Sequence, residues 1–569
     1  MLRRTQEVFA RHPWVILAGL VGVHLVVSGL AFDPVPHTGG DNTAYLALAR
    51  SLLGHGGYLE LWEPGQPPHT QYPPGFAAIL AVVWAVGLRS WTALKLIMLG
   101  FSAVAVGLSY LWMRERTTAI GAAALAFLLA VSPGLAGENR WVLSDIPFWA
   151  VTMGSLLALA RGRHRWGIAL AFAALGLRTA GLPLLLAIIG WHALRRRWKH
   201  AGVTLGVLVA VIAVWSLRAS TLEAPYVAQF WLDNPYAPEA GRIGILDLLA
   251  RIVENVDRYA FTITFRTLAG GVGTVGAIGG GLLLAAAAVG FARRVLGCEH
   301  PVADPGPEPE ARGDAGRPSA ASRLSARIGV VELFAVLYIG LLLVWPEQWA
   351  SDRFLIPVLP VLLVYAAKGT EVIPGRAARR VVRVGALLAV LGLAVTPSLA
   401  LWTGAAECRS AVQREGTVFA CLPPSERAFL ELAEWSRDRL AEGAVVVSRK
   451  PRLWYWHSGY PGQVYPFSRD RSRVLEVAAE IEARYVVLDE LGGTSRAYLL
   501  PAVMENRHRF CAVQRQETKS GPAATLLGIL AAPWDPERLG IDDDPETSGL
   551  RLPLCPSVYR PGAGSAGGD

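Results

Sequence analysis

Asp41 stands in the run Gly39-Gly40-Asp41-Asn42-Thr43-Ala44-Tyr45, shortly after the first long apolar stretch, Val15 to Ala31. A carboxylate held beside a bilayer, on the side away from a basic N-terminus, can take a proton from a substrate hydroxyl. Its loop, residues 32–90, also carries Gln71-Tyr72-Pro73-Pro74-Gly75. Two more acids, Glu138 and Asp145, and three arginines, Arg140, Arg178 and Arg353, fall at the ends of other apolar runs. Guanidinium groups grip phosphate through paired hydrogen bonds, so these arginines are candidates for an anionic group beside the base.

The elements that must position these residues are apolar helices. The chain has 569 residues, 53% hydrophobic and 17% charged. A soluble globular protein carries about 25% charged residues. Repeated apolar runs of about 17–25 residues match the hydrocarbon thickness of a bilayer, so the chain reads as a polytopic α-helical membrane protein. The net charge of +9 belongs to short loops between helices, where Lys and Arg set orientation, and not to one patch that would bind nucleic acid. The first apolar stretch is read as a retained signal anchor, without a small-residue cleavage site behind it.

Arg3, Arg4 and Arg11 place the N-terminus in the cytoplasm. If 74–88 lies along the outer interface and does not cross, the clusters at 114–116, 161–165, 195–199, 293–294 and 376–383 all fall inside. That count gives about eleven spans and leaves 32–90, the segment around 132–145, Arg178 and 347–353 outside. Residues 293–328 read as a cytoplasmic linker, rich in Pro, Gly and charge. The expected domains are therefore 1–404, transmembrane, and 405–569, extracytoplasmic.

Four of the five cysteines, Cys408, Cys421, Cys511 and Cys555, lie in that tail, where disulfides persist. Cys408–Cys421 is the local pairing and Cys511–Cys555 the remaining one; free thiols are the alternative. In the tail, a helix from Pro424 to Leu440 capped by Ser425, short strands at 444–448 and 485–489, and a helix over 473–483 predict a small α/β domain.

Each candidate has a plain structural reading beside the chemical one. Asp41 before Tyr45, Leu48 and Leu52 is also a helix cap with one apolar face behind it. Asp145-Ile146-Pro147 is also a helix start. Arginine at a span end also anchors a helix at the interface. Tyr45, Tyr58, Trp62 and Tyr72 could line a substrate groove or form an aromatic belt. His55 and His69 lack regular ligand spacing, Glu60 and Glu63 read as solvated, and Gly270–Gly281 reads as a site of close helix packing.

Taken in order, four motifs resemble the GT-C glycosyltransferases, specifically the bacterial branch related to protein O-mannosyltransferases and aminoarabinose transferases. They are Gly-Gly-Asp41-x-x-x-Tyr45 through Tyr72-Pro73-Pro74-Gly75; Ser132-Pro133 through Glu138 and Leu143-Ser144-Asp145-x-Pro147; Gly176-Leu177-Arg178-x-x-Gly181; and Asp352-Arg353-Phe354-Leu355-Ile356-Pro357 through Pro360. The resemblance covers residues 10–400. It implies transfer of a sugar from a polyprenyl-phosphate carrier to a lipid, polysaccharide or protein acceptor, at the outer face of the bacterial cytoplasmic membrane. It makes Asp41 the general base and places Asp145, a second catalytic carboxylate, near the site, where with Glu138 it could orient the acceptor. Arg353, Arg178 and Arg140 would hold the donor phosphate, and Tyr45, Tyr72, Glu138 and His69 a substrate groove. A divalent metal on Asp41 and Asp145 stays open. The alternatives are a lipid-linked-sugar flippase, which would put ionisable residues at the midplane of several spans, and a non-catalytic scaffold.

Overall fold

The computed structural model describes residues 2–54, 56–219, 230–234, 241–297, 327–518, 521–535 and 552–559. His55, Cys298, most of the linker 293–328 and part of the segment 218–266 lie outside the described residues. The chain divides into two compact units. The first comprises Met1–Asp33, Thr70–Phe76 and Arg89–Glu407; the second comprises Pro34–His69, Ala77–Leu88 and Cys408–Asp569.

The first unit is helical. Where water is scarce, a helix satisfies its own backbone groups, which explains why these apolar runs take that form. Among the described residues, five helices are long and apolar enough to cross a membrane: Pro13–Leu30, Trp91–Arg114, Trp198–Arg218, Gly273–Leu296 and Arg376–Glu415. Shorter apolar helices include Ala119–Ala130, Asp145–Ala160, Thr179–Leu194 and Val330–Val344. Polar residues punctuate them: Ser90, Thr118 and Ser132 accept hydrogen bonds from the backbone N–H of Ala93, Gly121 and Leu135, and so cap three helix starts. The last apolar helix runs unbroken past residue 404 to Glu415 with Pro397 inside it, so the expected boundary at 404/405 falls within a helix. An amphipathic helix runs over Ile245–Arg258.

Small residues set the closest helix approaches. Gly280 abuts the Ala260 carbonyl oxygen, where a Cβ would sit 2.2 Å away. This accords with the packing role read for the glycine-rich run. At Gly290 a Cβ would lie 2.0 Å from the Tyr365 carbonyl oxygen, joining Gly273–Leu296 to Leu359–Gly369.

The second unit holds a four-stranded sheet of β1 (Val446–Val447), β2 (Tyr485–Asp489), β3 (Phe510–Thr518) and β4 (Gly521–Ile529), in the order β1-β2-β4-β3. β1 and β2 are parallel, and the remaining pairs antiparallel. Alternation sends Val446, Tyr485, Val487 and Leu526 to one core and Val447, Val486 and Leu527 to the other. The hairpin β3–β4 had no expectation from sequence. Helices Pro424–Ser436 and Arg473–Glu480 lie where the pattern puts them. The cap differs: Pro423 flanks the first helix and Ser425 lies inside it, because proline pre-sets the first helical φ. Disulfides join Cys408 to Cys421 and Cys511 to Cys555, with Cα separations of 5.2 and 4.9 Å.

The helix Gly40–Gly54 belongs to this second unit. It is buried nearly all round, with Ala44 through Ala49 at 3% exposure or less. The single apolar face expected from Tyr45, Leu48 and Leu52 is too narrow: Leu52 is the exposed one, and the small residues between are covered as well.

Gly290→Ala is expected to destabilise the protein by about 1–3 kcal/mol, the usual cost of overpacking, read as a lower unfolding midpoint in detergent. Gly206→Ala, with open space around it, is expected not to lower that midpoint.

Candidate functional site

Asp41 is the second residue of Gly40–Gly54. It lies inside the first turn and is not the cap, and its side chain remains 34% exposed. A carboxylate in a first turn is favoured by the helix dipole. The Nη1 of Arg452, on the helix Pro451–Ser458, lies 3.9 Å from its Oδ1. The preceding strap is fixed by polar contacts. Lys450 Nζ donates to the Thr38 carbonyl oxygen at 3.0 Å, and the Thr38 hydroxyl donates to Glu426 Oε2 at 2.9 Å. His37 Nδ1 accepts from Gly39 N–H at 2.9 Å and lies 2.7 Å from Asn42 Nδ2.

The surrounding loop residues depart from the expectation. Tyr45, Tyr58, Trp62 and His69 are buried at 6% exposure or less. They pack the second unit and do not present a groove, because the tail covers them. His69 Nδ1 meets Glu60 Oε1 at 2.7 Å. Glu63 is not a solvated loop charge: burial, reinforced by the neighbouring Glu60 carboxylate, pushes its carboxyl up to about 7. Tyr72 remains half-buried.

The first unit assembles the other candidates. Asp145 opens the helix Asp145–Ala160 and does not act as a cap; its Oδ2 lies 2.6 Å from Arg178 Nη1. Arg178 also donates to the Ser144 hydroxyl at 3.1 Å. The guanidiniums of Arg178 and Arg353 each lie 5.1 Å from the Phe354 ring centroid, within cation–π range. Asp352, beside Arg353 in sequence, turns to Arg266 through two hydrogen bonds. Arg140 is ion-paired to Asp33 at 2.9 Å, and Asp33 also meets the buried Lys95 at 3.0 Å. Arg140 is thus already engaged by a carboxylate.

Glu138 ends the short helix Pro133–Glu138. Burial, then the Asp145 and Asp352 carboxylates, raise its carboxyl to about 8, against the opposing pull of Arg353 and Arg140. It therefore holds its proton at neutral pH and subtracts no positive charge from Arg353. Among the described residues, no group of three His, Cys, Asp or Glu could hold a metal ion. Asp145 is paired with Arg178.

Sequence reasoning missed Arg452, Lys450, Asp33, Lys95 and Arg266. None carries a local signal, because each is recruited through contacts between distant segments.

Comparison with known proteins shows the fold. The chain is similar to the apo oligosaccharyltransferase of Archaeoglobus fulgidus, with 15% identity and a TM-score of 0.50, over 92% of this chain and 74% of that one. It is also similar to ArnT of Cupriavidus metallidurans in the apo state, with 15% identity and a TM-score of 0.49 over 91% and 98% of the two chains. ArnT bound to undecaprenyl phosphate gives 14% identity and a TM-score of 0.48 over 90% and 98%. No protein-family model and no curated protein sequence matches the chain. At that level of identity the likeness to the oligosaccharyltransferase is one of overall fold.

The Glu138 carboxyl gives a pH prediction with a definite sign. Its folded value, about 8, exceeds the ordinary 4.5, so the unfolded chain loses this proton first as pH rises. Its contribution is fully present below about pH 4.5 and is lost as pH rises toward about 8. Glu138→Gln is expected to flatten the fall of the unfolding midpoint across that window, measured by thermal unfolding at stepped pH.

Proposed function

We propose that the protein is an inverting, membrane-embedded glycosyltransferase that moves a sugar from a polyprenyl-phosphate carrier to an acceptor hydroxyl. The reading rests most on Asp41, a partly exposed carboxylate in the first turn of a helix whose residues 42–49 are buried, in a chain with the GT-C architecture. The reaction is placed at the outer face of the bacterial cytoplasmic membrane. About eleven spans, a cytoplasmic N-terminus and an extracytoplasmic tail are retained as the topology, supported by the charge count and by the two disulfides of the tail.

Each step falls to a named group. Asp41 accepts the proton of the acceptor hydroxyl as its oxygen attacks the anomeric carbon. The bond from that carbon to the carrier phosphate breaks, and the electron pair leaves with the phosphate. A single displacement inverts the anomeric centre. The departing polyprenyl phosphate is already a weak base, so it needs positive charge more than a proton. Arg353 is assigned that role. Arg178, balanced by Asp145, orients the same cluster, and Glu138 lies within the electrostatic reach of Arg353. Tyr72 is kept as a substrate contact, and the acceptor class stays as broad as lipid, polysaccharide or protein.

Two substitutions test this reading. The assay is release of polyprenyl phosphate from a lipid extract of host membranes by purified enzyme. Asp41→Asn is expected to lower release by about 100- to 10,000-fold, the range of a lost general base, at unchanged expression; full turnover would remove Asp41 from the chemistry. Arg353→Ala is expected to lower kcat/KM for the lipid donor by about 100- to 1,000-fold, as for a lost charge-stabilising group; an unchanged value would reassign the phosphate site.

A further inference from the structure

We propose that Arg452 is a positioning residue for Asp41, so that residues 408–569 complete the environment of the base and are not a separate appendage. The proposal rests on the assignment of Asp41 as general base. Arg452 Nη1 lies 3.9 Å from Asp41 Oδ1. That separation is close enough to favour the carboxylate electrostatically.

The guanidinium is held in place on its other side. It lies 5.0 Å from the ring centroid of Trp62, which has no exposed surface. Trp62 is itself fixed, because its carbonyl oxygen accepts from Gly462 N–H at 2.8 Å. The Arg452 stem approaches Gly40, where a Cβ would lie 3.8 Å from its Cδ. Two residues before Arg452, Lys450 ties down Thr38. The base and the cation therefore sit on two segments fastened to each other within one compact unit. Glu63 shares the field of the same guanidinium, and Glu60 stands behind it, so Arg452 serves two carboxylates. Only Asp41 carries the proposed chemistry.

The test uses the full-length purified enzyme, the host-membrane lipid extract and a pH profile of polyprenyl phosphate release. Arg452→Met keeps the stem against Trp62 and Gly40 but removes the charge; Arg452→Lys keeps the charge. The methionine variant is expected to shift the acid limb of kcat/KM about one unit to higher pH, a loss of about tenfold on that limb. Its KM for the lipid donor and its unfolding midpoint should stay near wild type. The lysine variant is expected to keep the wild-type limb. An unmoved limb in Arg452→Met, or an equal loss in both variants, overturns the proposal and leaves Arg452 as packing on Trp62. Asp41→Asn is run alongside. Full release by Asp41→Asn defeats the base assignment, and this proposal with it. Lost release by Asp41→Asn together with an unmoved limb in Arg452→Met defeats only the positioning role.

Discussion

The amino end of the helix Gly40–Gly54 is held by groups that come from far along the chain. Lys450 donates to the Thr38 carbonyl, Glu426 accepts from the Thr38 hydroxyl, and Gly462 N–H ties the Trp62 carbonyl. A loop carboxylate on a freely moving segment would be a poor base, since proton transfer needs the groups held within hydrogen-bond reach. The tail supplies the missing rigidity. Desolvation at this strap lowers the Lys450 ammonium below its ordinary value, although neighbouring Glu426 opposes the shift. Residues 42–49 of the helix are buried, whereas the Asp41 side chain stays partly exposed in the first turn.

A second balance governs the first unit. Carboxylates and guanidiniums that leave water must find one another, because an unpaired buried charge is far costlier than a paired one. Asp145 takes Arg178, Asp352 takes Arg266 and Asp33 takes Arg140. Glu138 lies amid acids and arginines together, and it meets the problem by keeping its proton. These pairings distribute the arginines among different jobs, and they separate Arg353 from its sequence neighbour Asp352. Arg353 lies over the Phe354 ring, and its charge opposes the upward shift of the Glu138 carboxyl.

Much of the architecture was legible along the chain. Apolar runs marked the helices, the basic clusters suggested an orientation, and the short continuous apolar runs at 444–448 and 485–489 marked β1 and β2. The hairpin β3–β4 escaped notice because its small residues, such as Ala512, Ala523 and Ala524, carry little strand signal. The aromatic residues of the first loop looked like a groove or an interfacial belt. Neither reading could reveal that the tail would bury them, since burial by a distant segment leaves no trace in local spacing.

The sequence by itself determined the class of elements and singled out the carboxylate proposed as the base. Both depend on local physics: the hydrophobic length of a helix, and an acid placed between a glycine pair and a helical pattern. The tertiary structure alone decided the partnerships. It brought Arg452 to Asp41, Arg178 to Asp145, Arg266 to Asp352 and Lys450 to Thr38. The physical reason is that electrostatic pairing and burial act through space. A residue's charge can be read from its letter, but the charge that answers it is chosen by the fold.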